Sequence, residues 1–308
     1  MSRPRSPAPP DGYETWPAER KLAWLWEDVI GSTAHRMTDL PGLDAPFAPR
    51  PISGLALVLR RRTLVRSLLR TEDLMEDGRE KVIHRRGAVA VVDLETDPAS
   101  PFTGLLAPPP SGGATGLLRL SLVAKVTGKK AITPGFGLKL LVDGRPSADV
   151  LAMNHTVGQG RDFNVFSNSM TNDLTDEHRE LRTPQRVMSR LFTRVSEEPR
   201  RLIVDHLAER DRDGAAVAEP RAPRRLVFEP TATARDAFVG QAGVDFRRVL
   251  ASIPEGTALY DVAGLRGPAR SRERVAVGVL RTRTAFVSSD GGDRLFFRHV
   301  QDPADVRS

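Results

Sequence analysis

The chain has 308 residues, of which 40% are hydrophobic and 28% are charged, so it can bury a substantial core and has an ordinary globular composition. It contains no cysteine, which excludes disulfides and thiolate-ligated metal centres. The net charge is +7, but acidic residues interleave with the arginines and no nucleic-acid-binding motif accompanies them. We therefore expect a solvated basic surface and no nucleic-acid partner.

The N-terminus and the apolar stretches of the chain bear on its location. Residues 1–7 are polar and contain proline, without the apolar run of a secretory signal. No later stretch is apolar for long enough to span a bilayer. The sequence thus predicts a cytoplasmic protein with no membrane partner.

The first part of the chain has helical rather than β patterns. Residues 1–17 are polar and rich in proline, which predicts a disordered arm. Amphipathic patterns predict helices over 18–37 and 54–70, so 18–79 is predicted to be a helical segment. The tryptophans of the chain lie in or just before the first helix: Trp16, Trp24 and Trp26. This helix is predicted to dock on an apolar surface, either the protein's own core or a partner subunit, which includes a second copy of the chain.

From about residue 84 the pattern changes to β. Apolar or alternating segments, separated by glycine-containing turns, predict strands at 88–92, 117–126, 138–142 and 150–153. A charged amphipathic pattern predicts a helical insert at about 176–209. The elements predicted after the insert are a polar loop at 210–223, a strand at 225–229, a helix at 243–252, and strands near 257–263, 274–280, 283–288 and 294–299. Short strands without regular intervening helices predict an α+β fold with one antiparallel β-barrel domain over 80–308 and helical insertions.

Three short segments contain polar residues suited to proton transfer and anion binding. They are Val82-Ile83-His84-Arg85-Arg86-Gly87, Arg119-Leu120-Ser121, and Met153-Asn154 followed by Arg161-Asp162. A histidine ring titrates near neutrality and can accept a proton and return it. Taken singly, His84, Arg119 and Asn154 each also have a structural interpretation. Together and in this order, the segments resemble the core of the haem catalase superfamily over about residues 80–300.

The resemblance implies a catalase-type barrel that binds haem b and acts on a peroxide. His84 matches the distal histidine of the family's R-V-V-H-x-x-G segment, which moves a proton between the two peroxide oxygens. Ser121 matches the serine that hydrogen-bonds this histidine, and Asn154 matches the asparagine that donates to bound peroxide. Asn164 is a second candidate for the asparagine's role. The residues implied to contact haem are Arg119 and Lys81 at the propionates and Phe166 on the porphyrin.

Two further segments extend the resemblance. Phe102-Thr103-Gly104-Leu105-Leu106 is similar to the Y-T-G-L-F turn of small catalase-related proteins. Gly135-Phe136-Gly137-Leu138-Lys139-Leu140 is similar to the family's G-F-A-x-K-F strand, which leads to the distal asparagine.

The sequence departs from the family on the proximal side of the haem. The family's iron ligand is a tyrosine in an R-x-x-x-Y segment beyond the barrel, whereas only residues 300–308 follow the last predicted strand here. His299 and Tyr260 are the candidate substitute ligands, and Tyr260 is also interpreted as a structural strand residue. Three possibilities remain: a substitute ligand, a partner chain that closes the proximal face, or a chain that has lost haem.

The function implied by the resemblance is that of an oxidoreductase acting on hydrogen peroxide or an organic hydroperoxide. Catalase, peroxidase and hydroperoxide rearrangement activities all fit, because the fold does not choose among them. The alternative is a haem-free barrel that binds a hydrophobic small molecule or a protein partner. The substrate and the oligomeric state stay open.

Overall fold

The computed structural model describes residues 10–24, 26, 86–122, 134–142, 145–153, 170–171, 207–237, 245–267 and 273–288. The helix predicted at 54–70, the strand predicted at 294–299 and the helical insert up to residue 206 lie outside these ranges. Residues 207–209, the end of that predicted insert, are helical.

Nine strands of the described residues form one antiparallel sheet. They are β1 (Arg86–Thr96), β2 (Ala114–Leu122), β3 (Pro134–Val142), β4 (Arg145–Met153), β5 (Met170–Thr171), β6 (Arg225–Pro230), β7 (Ala258–Leu265), β8 (Arg274–Thr282) and β9 (Val287–Ser288). Each strand from β1 to β7 pairs with the next, and β8 pairs back with β1, so the pairings form a closed circuit. The antiparallel, barrel-like sheet predicted from the sequence is therefore confirmed for the part of the chain described.

The two faces of this sheet have different surroundings. The inner face supplies most of the main core: Ala88, Ala90, Val92, Leu118, Leu120, Phe136, Leu138, Val150, Phe228, Tyr260, Val262 and Leu280. The outer face of β1–β3 carries the residues that alternate with these, and its apolar members form a second cluster: Val89, Val91, Leu117 and Leu141. Strand β1 is buried on both faces, which explains why its sequence is a continuous apolar run rather than an alternating one.

Three α-helices flank the sheet in the described ranges: α1 (Ala18–Trp24), α2 (Ala232–Ala237) and α3 (Phe246–Ala251). Helix α3 begins at a cap by Asp245, whose carboxylate accepts from the backbone N–H of Arg247 at 3.0 Å. Phe246, Val249 and Leu250 then join the main core. The sequence predicts this helix over 243–252, whereas α2 and the two-residue β5 are not predicted because they are too short to show a period.

Helix α1 packs on the outer face of its own sheet. Leu22 is 8% exposed and belongs to the outer cluster, and Trp24 and Trp26 pack against the same cluster. At the rim, the guanidinium of Arg283 lies 2.7 Å from the carboxylate of Glu19 and 3.7 Å from that of Asp93. The sequence leaves two docking surfaces open for this helix, the protein's own core and a partner subunit. In the structure of the single chain, the helix packs on the protein's own core.

The end of the proline-rich arm is ordered against α1. Residues 1–17 are predicted to be disordered, but Tyr13–Thr15 form a 3-10 turn and Tyr13 is 9% exposed. The Tyr13 ring contacts Trp24 and Trp16, with ring centroids 5.0 Å and 5.6 Å apart. Aromatic packing therefore orders a segment whose composition alone favours disorder. Within the described residues, no helix has the length and apolarity needed to cross a membrane.

Candidate functional site

The predicted site residues fall into two groups. Arg119, Ser121 and Tyr260 lie within the described residues. The others are outside them: His84, Lys81, Asn154, Asn164, Phe166 and His299. The described part of the site is therefore carried by β2, with its neighbours β1 and β3.

Arg119 and Ser121 lie on the outer face of β2, because they alternate with the core residues Leu118 and Leu120. Both are almost fully buried, at 3% and 4% exposed. Charged and polar side chains are rarely buried to this degree unless they have a specific role or partner. We refer to this part of the outer face as the Arg119–Ser121 site.

Glycines flank the site on both neighbouring strands. Ser121 lies opposite Gly87 of β1 and Gly135 of β3, and Arg119 lies opposite Gly137 of β3. A glycine adds no side chain to the face of a sheet, so the polar groups of β2 stand beside bare backbone. These three glycines are themselves buried.

One row of paired residues across the sheet, which we call the register row, includes or adjoins residues of all three motifs. Gly87, Ser121, Gly135 and Met153 are successive partners across β1, β2, β3 and β4. His84 is three residues before Gly87 and Asn154 directly follows Met153 in the sequence. At 3.8 Å per Cα–Cα step, covalent geometry keeps the Cα of His84 within about 11 Å of that of Gly87. The sheet register therefore anchors all three motifs at one end of β1–β4.

Gly87 and Arg119 form a close contact that explains a glycine of the first motif. A Cβ atom placed on Gly87 would lie 2.6 Å from both Cζ and Nη2 of Arg119 and 2.9 Å from Nε. Atoms at these distances overlap, so the guanidinium occupies the space that any other residue at position 87 would fill. The glycine of the histidine motif thus positions the arginine of the second motif beside the start of β1.

The hydroxyl of Ser121 is oriented by the neighbouring strand. Its Oγ donates to the carbonyl oxygen of Gly135 at 3.4 Å, a long hydrogen bond. A serine hydroxyl has one proton and two lone pairs, so with the proton directed at Gly135 the oxygen can still accept from a donor. A ring N–H is a donor of the required kind.

Two buried lysines on this side of the molecule were not predicted as functional residues. Lys139 of β3 is 2% exposed, and it lies on the outer face opposite Leu117 of β2 and Asp149 of β4. Lys21 of α1 is 1% exposed. Buried cations require counter-charges or hydrogen-bond acceptors. The signal for Lys139 was a lysine at an outer-face position of an otherwise apolar strand, whereas nothing in the sequence distinguished Lys21.

Tyr260 lies on the other side of the sheet from Arg119 and Ser121. It is fully buried in the main core, where its ring contacts Phe136 edge-on with centroids 5.4 Å apart. Desolvation by burial raises the pKa of the Tyr260 phenol well above its ordinary value. Tyr260 lies on the inner face and Arg119 and Ser121 lie on the outer face, so the geometry favours the structural interpretation of Tyr260.

The turn that resembles a family motif has a structural role here. Gly104 has a φ of +66°, and a Cβ on it would lie 2.4 Å from the carbonyl oxygen of Leu207. Thr103 donates through Oγ1 to the carbonyl of Ala208 and accepts from the backbone N–H of Arg221, both at 2.8 Å. The turn thus joins the end of the predicted insert to the barrel.

The described residues show a cationic and a hydroxyl side chain at this site. They contain no group of three or more acidic or histidine residues that could hold a metal ion. All six histidines of the chain lie outside the described ranges. The described part of the site consists of the buried guanidinium of Arg119, the hydroxyl of Ser121 and glycines at paired positions of the neighbouring strands. No protein-family model matches the chain, and no curated protein is significantly similar to it.

Proposed function

We propose that the protein is a haem-dependent enzyme of the catalase type that acts on hydrogen peroxide or an organic hydroperoxide. The observation that carries the proposal is the register row, which brings the ends of the histidine, arginine–serine and asparagine motifs to one end of the sheet. The helical insertions of a catalase-type barrel and a cytoplasmic location belong to the same proposal.

The described residues fit the group that the proposal requires. Haem b is a flat macrocycle with two carboxylates, so it needs a planar surface and buried cations. Gly135 and Gly137 add no side chain beside the site, and the buried guanidinium of Arg119 would supply a cation with a carboxylate-matching geometry. In the proposal, Lys81 is a second cation for the propionates and Phe166 packs on the macrocycle.

When bound, haem would supply the iron chemistry that cleaves the O–O bond of the peroxide. The His84 imidazole accepts the proton of one peroxide oxygen and returns it to the leaving oxygen. The Oγ of Ser121 accepts from the other ring nitrogen and so fixes the tautomer that leaves a basic nitrogen for the peroxide. The side-chain amide of Asn154 donates to the peroxide and orients it.

The residues assigned above would all act on the peroxide side of haem, so the proposal requires a further residue as iron ligand. Because Tyr260 is on the inner face of the sheet, His299 is the remaining candidate within this chain. A partner chain, or a second copy, that closes the proximal face is the other source of a ligand.

Substitution of His84 tests the assigned chemistry. We expect the haemin-loaded protein to consume peroxide, and His84→Ala to bind haem with the same stoichiometry but to lose about 10²–10⁴-fold of the turnover, the usual contribution of a general acid–base. The measurement is peroxide consumption beside the absorption spectrum, with His178→Ala as the matched control. Equal turnover by wild type and His84→Ala at full haem loading would contradict the mechanism.

The alternative is a haem-free barrel that binds a hydrophobic small molecule or a protein partner. The same experiment separates the two functions, because a protein that takes up no haemin and consumes no peroxide would favour this alternative.

A further inference from the structure

The N-terminal segment packs on the barrel as a separate layer. Leu22, Trp24 and Trp26 contact the outer cluster of β1–β3, whereas none of the segment's described residues belongs to the main core. We call residues 10–24 together with Trp26 the N-terminal strap. Because the strap contributes no strand to the sheet, its removal would break none of the strand pairings described above.

Contacts within the strap join its turn and its helix into one unit. The Tyr13 ring contacts those of Trp16 and Trp24, and the guanidinium carbon of Arg20 lies 3.7 Å from the centroid of the Trp16 ring. Aromatic and cation–π contacts of this kind stabilise each other's geometry. We therefore expect the 3-10 turn and α1 to leave the sheet together.

An exposed ion pair fastens the strap at the rim of the sheet. The carboxylate of Glu19 lies 2.7 Å from the guanidinium of Arg283, and the Glu19 side chain is 73% exposed. Exposed ion pairs contribute little to stability and are screened by salt. Arg283 also lies 3.7 Å from Asp93 and 3.4 Å from Thr115, so it keeps partners on the sheet when Glu19 leaves.

A buried cation weakens the attachment of α1. Lys21 and Leu22 are the buried neighbours in this helix, while Glu19 and Arg20 are exposed. Burying an ammonium group costs desolvation free energy even where the charge has a partner, as Lys21 has. Water restores that hydration when the helix leaves the sheet, which offsets part of the apolar contact that Leu22 loses.

We infer that the N-terminal strap detaches from the outer face of β1–β3 as one unit while the barrel remains folded. The main core lies on the inner face and keeps its described contacts in the open form. Detachment uncovers an apolar row on the outer face: Val89, Val91, Leu117 and Leu141. The strap thus controls whether this surface is available to other molecules. The detachment requires no haem and does not depend on the proposed function.

Thiol labelling measures the opening in the folded protein. The chain has no cysteine, so Val91→Cys places a single thiol beneath the strap, and Val92→Cys places one at the neighbouring position in the main core. The two valines are 2% and 0% exposed, which makes the pair a matched one. Without denaturant, an aromatic disulfide reagent should modify residue 91 about tenfold or more faster than residue 92, because a local opening requires less free energy than global unfolding.

Two further substitutions assign the two labelling rates to the strap and to the barrel. Glu19→Gln should speed modification of residue 91 about two- to fivefold, since it removes an exposed ion pair. Val262→Ala, which leaves a cavity in the main core, should speed modification of residue 92 but not of residue 91. Equal rates at residues 91 and 92, or equal acceleration of both by Val262→Ala, would overturn the inference.

Tryptophan emission and hydrogen exchange complete the test. The emission comes only from the strap, because the tryptophans of the chain are Trp16, Trp24 and Trp26, and it checks that each cysteine variant keeps the strap closed. In the wild type, amides of α1 should exchange faster than those of β1, with a weaker dependence on urea, since detachment exposes less surface than unfolding. The same protection and the same urea dependence in α1 and β1 would show that strap and barrel open together, which overturns the inference without any substitution.

Discussion

At the scale of single residues, the outer face of β2 holds two almost fully buried polar side chains within three positions of each other. Arg119 is 3% exposed, Ser121 is 4% exposed, and the hydroxyl of Ser121 is directed at the Gly135 carbonyl. Burial of a guanidinium costs several kcal/mol unless acceptors or an anion compensate. Arg119 and Ser121 both interact with other residues of the chain.

Arg119 and Ser121 were predicted as site residues because Arg119-Leu120-Ser121 resembles the R-F-S segment of the catalase superfamily, and the structure shows both side chains buried on β2. The sequence did not reveal what Gly87 does. That role depends on the contact between a glycine in one strand and a guanidinium in another, and such a contact exists only once the register is set. The burial of Lys21 is equally a consequence of how α1 packs, and no local pattern encodes it.

Tyr260 gives a prediction about alkaline stability. Its buried, protonated phenol has a raised pKa in the folded state, while an unfolded tyrosine titrates near pH 10. The contribution of the neutral phenol to stability is therefore complete below about pH 10 and is lost as the pH rises toward the folded pKa. Between about pH 10 and the folded pKa, the free energy of unfolding should fall by about 1.4 kcal/mol per pH unit from this group alone.

The comparison of wild type with Tyr260→Phe isolates this effect. Urea unfolding curves at neutral and alkaline pH should show that the variant lacks the part of the pH dependence that comes from the phenol. The same alkaline loss of stability in both proteins would mean that the phenol is not held protonated in the core.

At the scale of elements, the register between β1 and β2 creates the site. It pairs Gly87 with Ser121 and Val89 with Arg119, so that the start of β1 meets the polar end of β2. Strand sequences predicted these two strands to within a few residues, because apolar runs and turns are local signals. The pairing of Gly87 with Ser121 was not predictable in this way, since register depends on contacts between distant segments.

A double-mutant cycle tests the contact between these strands. Gly87→Ala is expected to lower the free energy of unfolding by about 1–3 kcal/mol, because the added methyl group overlaps the Arg119 guanidinium. In an Arg119→Ala background the same change should be neutral or slightly stabilising, since the space is then free and alanine restricts the unfolded chain. Denaturant unfolding of the four proteins gives the coupling energy. Additive effects would show that the two residues do not interact.

At the scale of the whole molecule, the closed circuit of strands separates an apolar interior from an outer face that carries polar as well as apolar side chains. The inner face is filled by aliphatic and aromatic side chains, including Phe136, Phe228 and Tyr260. The outer face of β1–β3 is divided between the apolar part beneath α1 and the Arg119–Ser121 site beside it. This division explains how one sheet can combine an apolar core with buried polar side chains on its outer face.

The central claim is that the Arg119–Ser121 site holds the carboxylates of haem, and a haemin titration followed by absorption tests it most directly. Wild type should give a saturable Soret band at one haem per chain. Arg119→Leu should weaken binding by about tenfold or more, the equivalent of about 1.4 kcal/mol, and Arg119→Lys by less because it keeps the charge. The control Arg281→Leu, which alters a partly exposed arginine paired with Glu95 on another strand, should bind like wild type. Identical haemin affinity in wild type and a folded Arg119→Leu, or no Soret band in any of the proteins, would contradict the account.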